Sequence, residues 1–323
     1  MAGEAGASAE EKELRISNER TVVLGGRQVP VVIVAGLIAL AVAWLGIVYF
    51  AEPWGRLAGS GMDARCYWVP DIANPYLHSI WGEQIAYPYS PAFLQILEPI
   101  RLLPWQFFMA LWAAILMAAM VYLTGPRLIL LGLVFFGLME IWGGNIELLI
   151  ALAIVLGFRW PATWAFVLLT KVTPGVGLLW FAIRREWRSL AIAVGATVAV
   201  VAVSAAIQPN LWLQWRDVLL SNAGKNGTWA AVPIPFVIRF PVAVALVVWG
   251  ARTNHRWTLP VTAMLALPAL WYGGLSIMLA TLPLLGARTW GDVRQVLANG
   301  WSEFGRGLRG VRRSIGRRSL EAE

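Results

Sequence analysis

The chain has 323 residues, 59% of them hydrophobic and 14% charged, with a mean hydropathy of +0.64. Soluble domains carry about 25% charged residues, so the composition excludes an ordinary soluble globule and points to a polytopic membrane protein. The single cysteine, Cys66, excludes an internal disulfide and a cysteine-rich metal site, and the net charge of +8 is concentrated in turns and in an Arg-rich C-terminal stretch.

Residues 1–29 mix Glu, Lys and Arg and read as a cytoplasmic tail. Val31–Phe50 reads as a retained first span, since it is too long and its flank too acidic for a cleaved signal peptide. Arg20 and Arg27 before it place the N-terminus inside. Further apolar segments follow at Ser90–Leu103, Trp105–Leu123, Leu128–Trp142, Ile146–Phe158, Trp160–Ile183, Leu190–Ile207, Pro233–Trp249, Leu259–Trp271 and Leu275–Leu285. No ten-residue alternation of a transmembrane β-barrel appears. The expected fold is all-α, a bundle of about ten transmembrane or half-membrane helices over residues 30–286. Alternation then places the polar intervals 51–89 and 208–232 outside, and Arg101, Arg184–Arg188, Arg252–Arg256 and the tail 287–323 inside. Beside a span, the Arg-rich tail reads as an anchor on anionic membrane lipid and not as a nucleic-acid site.

Ionisable groups inside a span are costly and face a cavity or a partner, which narrows the candidates. Asp63 lies about a dozen residues beyond the first span, where a carboxylate can act as general base toward a sugar or lipid hydroxyl; a solvated loop carboxylate is the plainer alternative. Asp71 and Glu83 share that candidacy, and His78 is a second base or a phosphate donor if it acts at all. Lys171 falls mid-span and needs a partner, either Glu147 or Glu140, or a phosphate. Pro174 and Gly175 follow it, so the helix is expected to kink or break there and free backbone groups to line a cavity. Asn145 sits beside a Gly143-Gly144 turn between two segments that are short for spans, read either as short spans or as half-helices that enter and return. Glu98 and Arg101 form an i,i+3 pair. Arg239, among Pro233, Pro235 and Pro241, either snorkels to the surface or holds a phosphate. The interval 208–232 opens on an amphipathic piece suited to the membrane interface. No Lys-Ser/Thr phosphate loop and no H-E-x-x-H occur, which weighs against a nucleotide-driven pump and a metalloprotease.

The order of motifs carries a resemblance. Asp63-x-x-x-Tyr67 leads to Tyr87-Pro-Tyr-Ser-Pro91-Ala-Phe93, Leu97-Glu-Pro99 and Leu103-Pro104; Gly144-Asn145, Lys171-Val-Thr-Pro174 and Arg184-Arg-Glu-Trp187-Arg188 follow. This resembles glycosyltransferase family 87, membrane enzymes of the GT-C fold that use polyprenyl-phosphate sugars, over roughly residues 30–190; Ser90-Pro91 stands where that family has Pro-Pro. The resemblance implies transfer of a hexose or pentose, mannose favoured, from a polyprenyl-phosphate donor to a lipid or glycan hydroxyl on the outer side of the cell membrane, with inversion. It implies Asp63 as base, Lys171 at the leaving phosphate, and Asn145, Tyr67, Tyr87 and His78 lining the substrate site. Arg239 joins them on physical grounds alone. No cofactor, no metal and no nucleic acid are implied. A transporter or flippase built on a Lys171–Glu147 pair, and a non-catalytic subunit of the same fold, are the competing expectations.

Overall fold

The computed structural model describes residues 21–24, 27–30, 61–68, 74–76, 87–222 and 234–299. The chain divides into two units, Met1–Ser60 and Gly61–Glu323. In the first, strands β1 (Thr21–Leu24) and β2 (Arg27–Pro30) pair antiparallel, with Val22 opposite Val29 and Leu24 opposite Arg27. β-Branched residues favour a pleated strand, and the residues between are Gly25 and Gly26, which two-residue hairpin links favour. Part of the stretch expected as a plain tail is therefore strand. Val31–Phe50, Asp71, His78, Glu83, residues 223–233 and residues 300–323 lie outside the described residues.

The second unit is helical. Helices α1 (Met62–Trp68), α2 (Pro91–Arg101), α3 (Trp105–Thr124), α4 (Leu131–Val134), α5 (Gly137–Gly143) and α6 (Glu147–Leu156) come first. They are followed by α7 (Trp164–Thr170), α8 (Leu179–Ile183), α9 (Trp187–Ile207), α10 (Pro209–Asn222), α11 (Phe236–Thr253), α12 (Thr258–Leu265) and α13 (Thr281–Leu284). Segments of 3-10 helix fill Pro161–Thr163, Thr173–Leu178 and Tyr272–Ala280.

Helix α3 shows how sequence makes these elements. Pro104 precedes it, Gly125 at φ +66° ends it, and its twenty residues carry no charge. Phe108, Trp112, Leu116, Ala119 and Leu123 recur at helical spacing and are buried. At 1.5 Å per residue it is about 30 Å long, the thickness of a bilayer's hydrocarbon core. Helix α9 is as long but faces outward, with only 11% of its most apolar window buried. Exposed Val198, Val203 and Ile207 on it call for apolar surroundings.

Among the described residues, three helices (α3, α9 and α11) are long and apolar enough to cross a membrane, and the bent pair α5–α6 makes a fourth if counted as one. Of the expected ten, Val31–Phe50 lies outside the described residues, and the other apolar segments are shorter pieces among the described residues. Hydropathy counts apolar residues, whereas crossing requires continuous helix, and prolines and 3-10 turns interrupt it. The pair α5–α6 is bent by 120° at its break. Gly144, at φ +77°, closes α5 by donating its N–H to Glu140 O, and Trp112 Nε1 donates to Gly144 O at 2.6 Å.

Two ends of the unit follow from the contacts. At one end α1 meets the start of α3: Trp68 Nε1 donates to Leu103 O at 3.0 Å, and Arg101 Nη2 reaches Trp68 O at 3.5 Å. The Ile207 end of α9 belongs there too, because Gln95 Nε2 donates to Ser204 O and to Gln208 Oε1, and Trp215 Nε1 of α10 donates to Pro88 O at 3.0 Å. At the far end of α9 gather the turns 157–160, 183–188 and 251–257. Arg184 Nη1 donates to Ala251 O at 3.2 Å, and the Arg256 guanidinium lies 4.9 Å over the Phe158 ring.

Two expectations change here. Arg101 sits with Asp63's helix and not across the bundle from it, because α2 has eleven residues, about 16 Å, and cannot cross. Trp160–Ile183 is not one span. Trp160 and Ile183 share an end, since the Phe158 ring meets Trp180 at 5.8 Å and Phe181 at 6.3 Å. The chain turns back at Lys171, which is extended (φ −134°, ψ 103°) between α7 and a 3-10 segment opened by Pro174. The break expected at Pro174–Gly175 is present, and it makes a hairpin with Lys171 at its tip.

The start of the basic tail is also ordered. Asp292 Oδ2 accepts the N–H groups of Arg288 and Thr289, and Thr289 Oγ1 accepts the Asp292 N–H, a reciprocal cap for the helix over residues 290–299. Arg288 Nη1 then binds Tyr122 O at 2.9 Å.

Candidate active site

Asp63 and Tyr67 lie four residues apart, on one face of α1. That helix rests on the α5–α6 bend because the bend is made of glycine. Gly61 N–H donates to Trp142 O at 2.7 Å, a Cβ on Gly144 would fall on Ala64, and a Cβ on Gly143 would lie 3.2 Å from Asp63 Oδ2. Bare backbone at Gly143 and Gly144 thus lets α1 come close enough to set its carboxylate beside the bend.

Tyr67 is fully buried and donates to Asn145 Oδ1 at 3.3 Å. The Tyr89 hydroxyl lies 3.3 Å from that of Tyr67 and 3.5 Å from Asn145 Oδ1, which also accepts the Ile146 N–H at 2.8 Å. Around Tyr67, the rings of Tyr89, Phe93 and Trp112 pack edge-on at 5.3 to 5.5 Å. Tyr76 donates to Tyr89 O, and Tyr87 donates to Ser90 O, so the Tyr-Pro-Tyr-Ser-Pro stretch is pinned by Tyr76 from outside and by its own Tyr87. Tyr87 is buried scaffold beneath Tyr89, which takes the place nearer Asn145.

Across the bend, Glu147 opens α6 and pairs with Lys171 at the hairpin tip. Of the two partners weighed for Lys171, the structure selects Glu147. Glu140 plays another part: its Oε2 accepts the Glu147 N–H at 3.2 Å, capping α6 across the bend, and its other oxygen rests where a Cβ on Gly273 would stand. Glu147 Oε2 is buried and receives no hydrogen bond among the described residues. Glu147 pairs with the Lys171 ammonium directly, and the carboxyl groups of Glu140 and Asp63 act on it electrostatically, an excess of acid over base.

That surplus acts on Asp63, which is half-buried with its carboxyl group turned inward. Burial pushes the carboxyl up to about 7, the Glu147 carboxylate adds to the rise and the Lys171 ammonium opposes it. Burial also holds the Tyr67 and Tyr89 hydroxyls well above the ordinary tyrosine range, so both stay neutral donors. A carboxylate poised near neutrality is what a general base requires.

Immediately after Lys171 a groove of about 520 Å³ opens, lined by Val172, Thr173, Val176, Leu179, Leu190 and Phe240. It is almost wholly apolar, but Thr173 Oγ1 is buried beside it without a hydrogen-bond partner among the described residues.

The structure thus brings Asp63, Tyr67, Asn145 and Lys171 together and adds Glu147, Glu140 and Tyr89. Sequence had marked both glutamates as alternative partners for Lys171 and Tyr89 only within its motif. His78 lies outside the described residues. Arg239 is buried and engaged elsewhere: Nε donates to Ile234 O at 2.9 Å, Nη1 to Leu265 O and Leu267 O at 2.8 Å, and Nη2 to Pro268 O at 3.1 Å. It neither snorkels nor presents a free fork to a phosphate. Its donors close the C-terminal end of α12, whose last carbonyls lose their helical partners at Pro268. Among the described residues no three His, Cys, Asp or Glu side chains are placed to hold a metal ion. Compared with known proteins, the chain matches no family description, no curated protein and no solved structure.

Proposed function

We propose that this protein is a membrane glycosyltransferase that moves a hexose or pentose, mannose favoured, from a polyprenyl-phosphate donor to a lipid or glycan hydroxyl. The observation that carries the reading is the Asp63 carboxylate, held near neutrality in the same polar cluster as Lys171, with an apolar groove starting at the next residue. A lipid-linked donor needs those three features together: a base, a cation for phosphate and an apolar channel for its tail.

In the reaction, Asp63 accepts the proton of the acceptor hydroxyl as its oxygen attacks the anomeric carbon. The new C–O bond forms on the face opposite the phosphate, the anomeric C–O bond to phosphate breaks, and polyprenyl phosphate leaves with both electrons. Lys171 has three N–H donors. Glu147 takes one and orients the others toward the leaving oxygens, so the ion pair positions the ammonium without neutralising it for good. Tyr67, Tyr89 and Asn145 form the polar wall behind the carboxylate, held in place by edge-on ring packing. The arrangement within a GT-C-like bundle of about ten helices, and the placement of the Asp63 end on the outer side with both termini inside, belong to this proposal. Arginines concentrated in the turns at the opposite end support that orientation.

The test is transfer by the purified full chain from a polyprenyl-phosphate sugar. Asp63→Asn, near-isosteric and uncharged, is expected to lower the rate by about 10²–10⁴-fold while melting behaviour is retained; wild-type transfer by that variant overturns the base. One observation favours a second reading. The buried Glu147 oxygen, without a partner among the described residues and beside an ion pair, is also a feature of ion-coupled transport. Substrate flux into proteoliposomes with no covalent product selects transport over transfer.

A further inference from the structure

The end of the unit remote from Asp63 carries a charge pattern that sugar transfer does not use. Turns 157–160, 183–188 and 251–257 bring Arg159, Arg184, Arg185, Arg188, Arg252 and Arg256 together, all exposed. Glu186 is the acidic residue of these turns, and it pairs with Arg184 at 2.7 Å. We propose that these three turns form one platform that binds the phosphate headgroups of anionic phospholipid in the membrane leaflet at that end.

Three features support it. First, the turns are held as a unit: the Arg184 fork reaches Ala251 O, Arg256 stacks on Phe158, and Phe158 packs on Trp180 and Phe181. Second, the platform stands at membrane depth by construction, because α9 starts at Trp187 and α11 ends at Thr253, and both are long and apolar enough to cross a bilayer. Exposed Trp160, Trp187 and Trp249, at 51%, 61% and 46%, rim it with the residue that prefers the headgroup level. Third, every lysine or arginine in these turns is arginine. Arg159 lies 4.9 Å over Trp160, and Arg256 has its face on Phe158. A stacked guanidinium keeps its in-plane N–H groups free for bidentate phosphate contacts. His255, stacked on Trp249 with its Nδ1 2.6 Å from Thr253 Oγ1, firms the third turn. Exposed cations beside an apolar span are complementary to a negatively charged bilayer surface.

The experiment measures binding of the full chain, in detergent, to phosphatidylglycerol, with phosphatidylcholine and inorganic phosphate as controls, by thermal shift and native mass spectrometry. Phosphatidylglycerol is expected to bind and raise the melting temperature, and both controls to do neither. The variant Arg185→Gln/Arg188→Gln/Arg252→Gln should bind it on the order of a hundredfold more weakly, roughly fivefold per arginine removed. Its melting temperature without lipid should stay at the wild-type value, since none of the three replaced side chains donates a hydrogen bond that closes a helix. Replacement by lysine at the same positions, which returns the charge without the bidentate fork, should restore only part of the affinity. The proposal is overturned if the Gln variant keeps wild-type affinity, which assigns the lipid to the Arg-rich tail, if phosphatidylcholine binds equally well, or if inorganic phosphate gives the same shift as the lipid.

Discussion

Lys171 and Arg239 are both cations held within the helical body, and their surroundings differ in kind. Arg239 meets four neutral carbonyls arranged around its planar fork, so its charge is solvated by dipoles that have no other task. Lys171 meets a carboxylate, and that carboxylate belongs to a group with more acid than base and one oxygen left without a donor. A buried charge with all its demands met is a strut. One embedded in an unbalanced polar cluster, next to a groove and a half-buried Asp63, is equipped to exchange partners. Burial alone does not distinguish the two; satisfaction does.

The comparison can be broken most sharply at the ion pair. Glu147→Leu leaves the Lys171 ammonium unpaired and should cost about 3–5 kcal/mol of stability, whereas Lys171→Met with Glu147→Leu should recover most of it. The double variant should still transfer no sugar; if it is both stable and active, Lys171 is a strut after all. Next in size is Arg239→Met, which strands the four carbonyls and should cost about 2–3 kcal/mol. Its transfer rate per folded molecule should be that of the wild type. A tenfold loss of rate at unchanged melting temperature would instead place Arg239 at the substrate.

The smallest effect sharpens the contrast through pH. With Asp63 near 7, transfer should rise about tenfold per pH unit below neutrality and level off above it. The sign for stability is opposite. The folded carboxyl binds its proton more tightly than its ordinary value of 3.8 allows, so the Asp63 contribution is fully present below about 4 and lost as pH climbs through about 7. Asp63→Asn should flatten that slope, while Arg239→Met should leave it unaltered.

The chemical groups of the site were legible in the sequence, although the interval 51–89 read as an outer loop and helix α1 was not expected within it. The Asp63-x-x-x-Tyr67 motif marked both residues, the helix that sets them on one face came from the structure, and the Pro174 break beside Lys171 follows from a missing N–H. The ends of α3 could be read at Pro104 and Gly125. What misled was segment length. Ser90–Leu103 and Trp160–Ile183 are apolar over enough residues to look like spans. One yields a helix too short to cross, and the other doubles back at Lys171. Arg239 misled for a related reason: a cation among prolines advertises a need for acceptors, but the carbonyls that meet it come from Leu265, Leu267 and Pro268, some thirty residues away.

By itself, then, the sequence determined the apolar helical character of this protein, the breaks at Gly143-Gly144 and Pro174, and the identity of the few groups able to do chemistry. Those are local properties of hydropathy, backbone freedom and side-chain pKa. Only the tertiary structure decided which carboxylate pairs with Lys171, that α1 lies on a glycine bend within 3.2 Å of a missing Cβ, and which turns share an end. Those depend on where helices separated by 24 to 80 residues come to rest, and close packing between distant segments leaves no periodic trace in the chain.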